Sequence, residues 1–512
     1  GIEKVIKEAR RDRFTSFYSD YYIPGNMTFI VVGDIDLDDY EGRIVKTFTS
    51  MKNPEEPGAD PRMGTIPGGC GFQAAVFSDK EVKSDDLALG FVQKYESKPD
   101  RAATRAARMP LRVANSIIGR RFDILAKKEG SPISSGSAGR FEWFNALEFG
   151  SIDVTTVEGK WREAVPVMEQ ELRRALEYGF TQTELDEITA QILNRAEQAV
   201  KRADTRQSAS LAMGLVKSIG SNRVFTNPKE SLRITRMALK ALTLEKCHQT
   251  LQSLWKDRDL TITLTSKTAP EDGAEVLTAL YKKSQAVKVA PPEKKEDVTF
   301  AYTDFGKAGT VTSRREIKDL GITQLILSNN TRINLKRTDF QKNSISIHAR
   351  FGNGKLTQPT DKPSLDMFST ILLNAGGLGK HSSDDLQRIT AGRNVGGNLS
   401  VDEDAFTMDG RTTEEDLELQ LQLLCASITD PGYREEALRQ FRKMLPMISS
   451  QLKFTISGAM AEMQEWARGG DGRFAKPNPK VLAKYTADDE KAWISPEVDD
   501  SYLEISLVGD FD

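Results

Sequence analysis

Cysteine and histidine are scarce in this sequence. Its 512 residues contain three cysteines, Cys70, Cys247 and Cys425, and three histidines, His248, His348 and His381. An odd cysteine count without a Cys-x-x-Cys pair excludes a disulfide framework and a thiolate zinc site. Charge of one sign is also missing. The 71 basic and 74 acidic side chains leave a net charge of −3, which excludes the strongly basic field of a duplex-wrapping protein. No apolar run approaches the ~18 residues that cross a bilayer. The opening residues carry no signal-peptide core, so the N-terminus assigns no compartment. The charged helical pattern Ile2 to Glu8 reads as a cut end.

What is present is an ordinary globular balance, 38% apolar and 28% charged. At ~100–200 residues per domain the length predicts about three domains. Helical spacing over 2–22 ends in the aromatics Phe14, Phe17, Tyr18, Tyr21 and Tyr22, and Pro24-Gly25-Asn26 breaks it. Met27 to Val32 reads as a buried strand, and Asp36 to about Lys52 as a helix with acids at its positive end. Residues 54–68 are rich in Pro and Gly and read as a linker.

Strands are expected at about 71–78, 85–92, 133–143, 147–156 and 260–264, and helices at 101–128, 161–177, 182–203, 206–218, 229–256 and 272–284. Gly179 is placed as a C-cap, and Thr181-x-x-Glu184 as a capping box. Pro291-Pro292-Glu293-Lys294 marks 285–318 as a second linker. Beyond it come strands at 322–328, 332–338 and 344–351, then helices at 363–374, 383–391, 413–428 and 434–450. Strands followed by helices and a closing strand define an α+β class with helices on one sheet face. Val31-Val32-Gly33-Asp34-Ile35-Asp36 returns as Leu507-Val508-Gly509-Asp510-Phe511-Asp512. As a repeat, it places both termini inside domains.

The sites that invite chemistry have plainer readings. His381-Ser382-Ser383-Asp384-Asp385 reads as a capped helix start rather than a metal site, which needs a third strong ligand. His348 falls on the polar face of a strand. His248 has one Cys neighbour, too few donors for a metal. Gly376-Gly377-Leu378-Gly379-Lys380-His381 fails the phosphate-loop pattern, because Asn374 stands where Gly is needed and His381 follows the Lys. It reads as a flexible loop between helices. Gly69 to Ala74 precedes a strand, not the helix a dinucleotide fingerprint requires. The groups Arg10-Arg11-Asp12-Arg13, Arg101 to Arg108 and Arg120-Arg121 read as solvated helix faces, with contact to acidic peptide or another domain as the alternative. No Ser/His/Asp or Cys/His set is legible in the order of residues.

Three segments carry a family resemblance. Phe17-Tyr18-x-x-Tyr21-Tyr22-x-Pro24-x-Asn26-Met27-Thr28 with Val31-Val32-Gly33-Asp34 resembles the close of the first domain in the insulinase/pitrilysin zinc peptidases, peptidase family M16. Arg121-Phe122-Asp123-Ile124-Leu125-Ala126-Lys127-Lys128-Glu129-Gly130 is similar to the family's Arg-Leu-Phe-x-x-Leu-Arg-Glu-x-x-Gly stretch, and Gly179 to Leu185 to its helix-turn-helix. The resemblance implies repeated LuxS/MPP-like domains around a closed peptide-cutting chamber. Residues 1–53 would close domain one, 69–284 form domain two, and 319–512 form a degenerate, truncated domain three.

The family's His-x-x-Glu-His holds zinc and places a Glu as general base. This sequence has none, and Phe368, Ile371 and Leu372 fill the corresponding slots in the third domain. No catalytic or metal-ligating residue is therefore assigned, and substrate-binding residues stay unassigned. Zinc belongs to the full-length family member, and this chain is expected to bind none and to be inactive alone. The implied partners are peptide substrates, with a catalytic N-terminal region and a fourth domain, or a partner subunit supplying them. Neither nucleic acid nor a membrane span is expected, and the resemblance implies a bacterial periplasmic setting. The alternative is a non-catalytic structural or partner subunit of M16 fold, like those of processing peptidases and respiratory-complex cores.

Overall fold

A computed structural model of the chain describes residues 2–55, 64–293, 298–499 and 502–512. Three helices open it: α1 (Glu3–Glu8), α2 (Arg11–Tyr21) and α3 (Leu37–Phe48). A first sheet unit follows with β1 (Gln73–Ser78), β2 (Asp86–Lys94), α4 (Ala102–Ala107), α5 (Met109–Lys127), β3 (Ile133–Trp143) and β4 (Leu147–Thr156). It continues through α6 (Trp161–Tyr178), α7 (Gln182–Lys201), α8 (Ser208–Gly220), α9 (Pro228–Lys240), α10 (Leu244–Trp255), β5 (Thr261–Ser266) and α11 (Gly273–Gln285). The second unit holds β6 (Val311–Ile317), β7 (Ile322–Leu327), β8 (Arg332–Arg337), β9 (Ile345–Phe351), α12 (Leu365–Gly376), α13 (Ser383–Ile389), β10 (Gly397–Val401) and β11 (Phe406–Thr412). It closes with α14 (Leu417–Thr429), α15 (Glu435–Phe454), α16 (Ile456–Ala467), α17 (Pro479–Leu482), α18 (Ala487–Asp499) and β12 (Glu504–Gly509).

The first sheet runs β1-β5-β2-β4-β3, with only β1 and β5 parallel. Alternation along its strands sends Leu87, Leu89, Phe91, Ile152, Val154, Ile262 and Leu264 to one face. Val113, Ile117 and Phe122 of α5 and Val165 and Met168 of α6 cover them. Burying each such side chain contributes about 1.5–3 kcal/mol. The second sheet runs β10-β11-β9-β12-β8-β7-β6, with only β12 and β8 parallel. Its core joins Ile345, Ile347, Phe406 and Leu507 to Phe368 and Leu372 of α12, Phe441 of α15 and Trp493 of α18.

Several expectations are corrected. Residues 27–32 form no strand: Phe29 and Val31 are half exposed, and Phe29 packs on Phe48 of α3 with ring centroids 4.4 Å apart. An apolar run becomes a strand only where neighbours take its backbone hydrogen bonds, and among the described residues this run has none. The helix expected over 229–256 is two helices, broken where Thr243 caps α10 by accepting from the Lys246 amide. The stretch 285–318, read as a linker, contains the edge strand β6. The linker reading of 54–68 falls partly on 56–63, outside the described residues. The glycine loop at 376–381 is held fast. Gly379 N–H bonds Asp430 O, Lys380 N–H bonds the Tyr302 hydroxyl, and Arg434 Nη2 bonds the carbonyls of Leu378 and Gly379.

The largest correction concerns Arg120 and Arg121, which are not solvated. Each is 7% exposed. Arg121 reaches Glu184 (2.6 Å), Glu171 (3.3 Å) and Gly179 O (3.0 Å). Arg120 bonds Glu187 at 3.1 Å and crosses to Asp384 of α13 at 2.7 Å, where Lys127 also arrives at 2.8 Å. The two pairs with Asp384 join the two sheet units. Asn194 with Asn394, Asn343 with Gln198, and Lys443 with Ala126 O extend the seam.

Candidate functional site

The first sheet ends on β3, which among the described residues pairs with β4 alone. One edge of β3 therefore keeps unpaired N–H and C=O groups, a template for another strand. The hairpin after it turns through Phe144 and Asn145, at φ 51° and 54°, closed by Ala146 N–H to Trp143 O at 3.0 Å. That mirror-image turn matches the twist of the strands. A bulky Phe in the left-handed region is strained, and Phe144 is also 73% exposed. Phe141 and Trp143 are half exposed beside it.

A cleft of about 980 Å³ runs along residues 138–142 of β3, walled by α5 and the end of α8. Six basic side chains line it, Lys98, Arg108, Arg112, Arg140, Lys217 and Arg223, against two acidic ones, Glu96 and Glu142. Glu142 takes three guanidiniums: Arg140 at 2.7 Å, Arg108 at 3.0 Å and Arg223 at 3.1 Å. Burial pushes the Glu142 carboxyl up. The Arg140 hydrogen bond and the three positive charges overrule it and hold the pKa below the ordinary value. Arg140 also pairs with Glu148, and Arg108 donates to the Tyr95 hydroxyl at 3.0 Å.

The histidines stay apart. His381 is buried, and its Nε2 accepts the Ala301 amide at 2.9 Å, which leaves the ring proton on Nδ1. Burial first lowers its pKa, and Arg434 and Lys380 add to that while Asp385 opposes. Ser382 caps α13 in a capping box with Asp385. His348 meets Asp409 at 2.8 Å, and His248 meets Leu176 O at 2.8 Å. Among the described residues no group of three or more His, Cys, Asp or Glu is placed to hold a metal ion. Phe368 and Leu372 are fully buried in the second core.

The two sheet units repeat one plan, mostly antiparallel strands under helices on a single face, which is the class of M16 peptidase domains. Residues 8–192 match the family described as peptidase M16 inactive domain. "Probable zinc protease PqqL" of Escherichia coli is 23% identical, over 77% of this chain and 42% of that protein. "Stromal processing peptidase, chloroplastic" of Arabidopsis thaliana is 21% identical, over 100% of this chain and 48% of that protein.

Among solved structures, a mutant of the ferredoxin protease FusC in complex with Arabidopsis ferredoxin superposes with a TM-score of 0.61 at 17% identity, covering 100% of this chain and 57% of that one. Pitrilysin gives 0.51 at 12%, covering 98% and 53%. Residues 8–192 thus resemble the M16 inactive domain, and the chain is similar to these M16 relatives in sequence and to M16 peptidases in fold. It spans about half the length of the curated relatives it matches. Among the described residues no helix is long and apolar enough to cross a membrane.

Sequence reasoning singled out Arg108 but passed over Arg112, Lys217 and Arg223. They are far apart along the chain, and only the packing of α5, α8 and the β3–β4 hairpin brings them to one cleft.

Proposed function

We propose that this chain supplies the wall and the peptide-holding surface of an M16-like zinc metalloendopeptidase whose zinc centre lies outside these 512 residues. In that reading residues 1–53 close domain one, 69–284 are domain two, and the second sheet unit is a degenerate domain three that begins with β6. Periplasmic placement goes with the same reading, since the similar PqqL of Escherichia coli is a periplasmic protease.

The observation that carries the proposal is the free edge of β3 beside a large cleft. An extended peptide adds there as a sixth strand, gaining main-chain hydrogen bonds while its alternate side chains enter the cleft. The burial of Phe368 and Leu372, in the slots where the family resemblance expects ligands, supports a structural role for α12.

The test uses the purified 512-residue chain. It is expected to bind an extended decapeptide without cleaving it, and to lose that binding when alternate peptide amides are N-methylated, because a methylated amide donates nothing to a ladder. Tightly bound stoichiometric zinc with chelator-sensitive hydrolysis overturns the inactive reading. Undiminished binding of the methylated peptide overturns strand addition.

A further inference from the structure

The whole chain carries a net charge of −3, yet the cleft wall is strongly positive. Arg108, Arg140 and Arg223 spend their charge on Glu142. Lys98, Arg112 and Lys217 meet no acid among the described residues, although all three line the cleft. Partial desolvation, and then the like charge of Arg195, push the Arg112 pKa down. A cation set without a counter-charge in a half-enclosed wall waits for an anion, because the low-dielectric surroundings strengthen any pairing it makes.

The positive track continues beyond this cleft. Arg195 and Arg202 lie seven residues apart along α7 and its C-cap, which puts them on one helix face. Both line a second cleft, about 530 Å³, against the second sheet unit. Arg202 Nε is buried without a partner there, and Arg411 of β11 adds a further positive charge nearby.

The pleat of β3 sorts what a neighbouring strand presents. A Cβ at Gly136 would strike Phe122 of α5, so 136, 138, 140 and 142 face the helices and the basic wall. A Cβ at Gly139 would meet the Phe141 ring, so 139, 141 and 143 face the opposite side, where Phe141 and Trp143 are exposed. A strand added to this edge shows alternate side chains to cations and to aromatic rings.

We propose that the β3 cleft selects extended polypeptide segments in which acidic residues alternate with apolar ones, the carboxylates meeting Arg112 and Lys217 while the apolar side chains lie on Phe141 and Trp143. This rests on the peptide-holding reading above and adds a selectivity to it. Arg112 and Lys217 are specificity-determining residues in this account. Both are exposed, so truncating them costs the fold little.

The experiment titrates the full chain with three fluorescent decapeptides: Glu alternating with Val and Tyr, the same sequence with Gln for Glu, and the same with Lys for Glu. At about 50 mM salt the Glu peptide is expected to bind at least roughly tenfold tighter than the Gln peptide, the Lys peptide weakest, and the advantage to fade toward about 0.5 M salt as screening shortens to a few ångströms. In the double variant Arg112→Gln, Lys217→Gln the Glu peptide is expected to fall to the affinity of its Gln counterpart.

Equal binding of the Glu and Gln peptides overturns the acidic selectivity and leaves the peptide-holding reading standing. Absence of binding by all three overturns both. A full acidic advantage in the double variant, with its circular dichroism unchanged, overturns the assignment to this cleft. A single-stranded oligonucleotide of equal charge that displaces the Glu peptide at lower concentration also overturns the proposal, since a nucleic acid would then be the better occupant.

Discussion

Val31 to Asp36 and Leu507 to Asp512 match position by position, Val-Val-Gly-Asp-Ile-Asp against Leu-Val-Gly-Asp-Phe-Asp. In the second stretch Leu507 is 6% exposed inside β12, with β8 parallel on one side and β9 antiparallel on the other. In the first, Val31 is 45% exposed and the backbone pairs with no strand among the described residues. The residues are equivalent and the surroundings are not. A strand is a relation between chains of backbone, and propensity supplies only one party to it. Ion pairs divide the same way. Arg43 and Asp39 sit on the exposed face of α3, whereas Arg121 is sunk among Glu171, Glu184 and Gly179 O.

The contrast can be broken by substitution, and the ion pairs give the largest effect. Arg121→Ala leaves Glu171, 2% exposed, with Arg174 alone and takes the guanidinium from Glu184, and is expected to cost about 3 kcal/mol, within the usual range for opening a buried pair. Arg43→Ala is expected to stay within about 0.5 kcal/mol. Urea midpoints of the two variants compare them directly, and equal losses would erase the distinction.

Leu507→Ala opens a cavity in the second core, beneath β12, and is expected to cost about 2–4 kcal/mol. Val31→Ala is expected to change stability by less than about 0.5 kcal/mol, as exposed substitutions do. A comparable loss at Val31 would mean that the first copy is packed after all.

Glu490, at the start of α18, sharpens the comparison through pH. It is fully buried, neither carboxyl oxygen has a partner, and burial raises its pKa from 4.5 to about 8. The folded state therefore holds a proton that the unfolded chain releases near 4.5. The sign follows: stability falls as pH rises from about 4.5 to 8. Glu490→Gln removes that slope. At about pH 9 the variant is expected to be more stable than the parent by about 2–4 kcal/mol, with the two converging toward about pH 5. A pH-independent difference would refute the assignment.

Thr181→Ala loses a cap at which side chain and backbone bond reciprocally with Glu184, at about 1 kcal/mol. Thermal melts resolve that change.

Much of this fold was legible in the residues. The limits of β3 and β4, Ile133–Trp143 and Leu147–Thr156, coincide with the expected strands, because alternation along β4 is uninterrupted and the turn between them is short. Gly179 ends α6 at φ 69°, and Thr181 caps α7 as its spacing requires. The break between α9 and α10 was hidden, since Ala241-Leu242-Thr243 carries neither Gly nor Pro. Of the candidate site, the arginine-rich stretch near Arg108 was visible as composition. Its conversion into a cleft was not, because Glu142 and Lys217 approach it only through the hairpin and α8.

The order of residues by itself set the class: alternation of period two and helical spacing, local properties of a few neighbouring side chains, define an α+β chain, and three short segments carry its resemblance to the M16 peptidases. Tertiary structure alone decided which apolar runs became strands, which arginines were buried, with Arg120 pinned to Asp384 across the two sheet units, and which basic side chains were left without counter-charge along β3. The reason is physical. Hydrogen-bond pairing, burial and Coulomb pairing all depend on distances between residues far apart in the chain, and those distances exist only once the whole has packed.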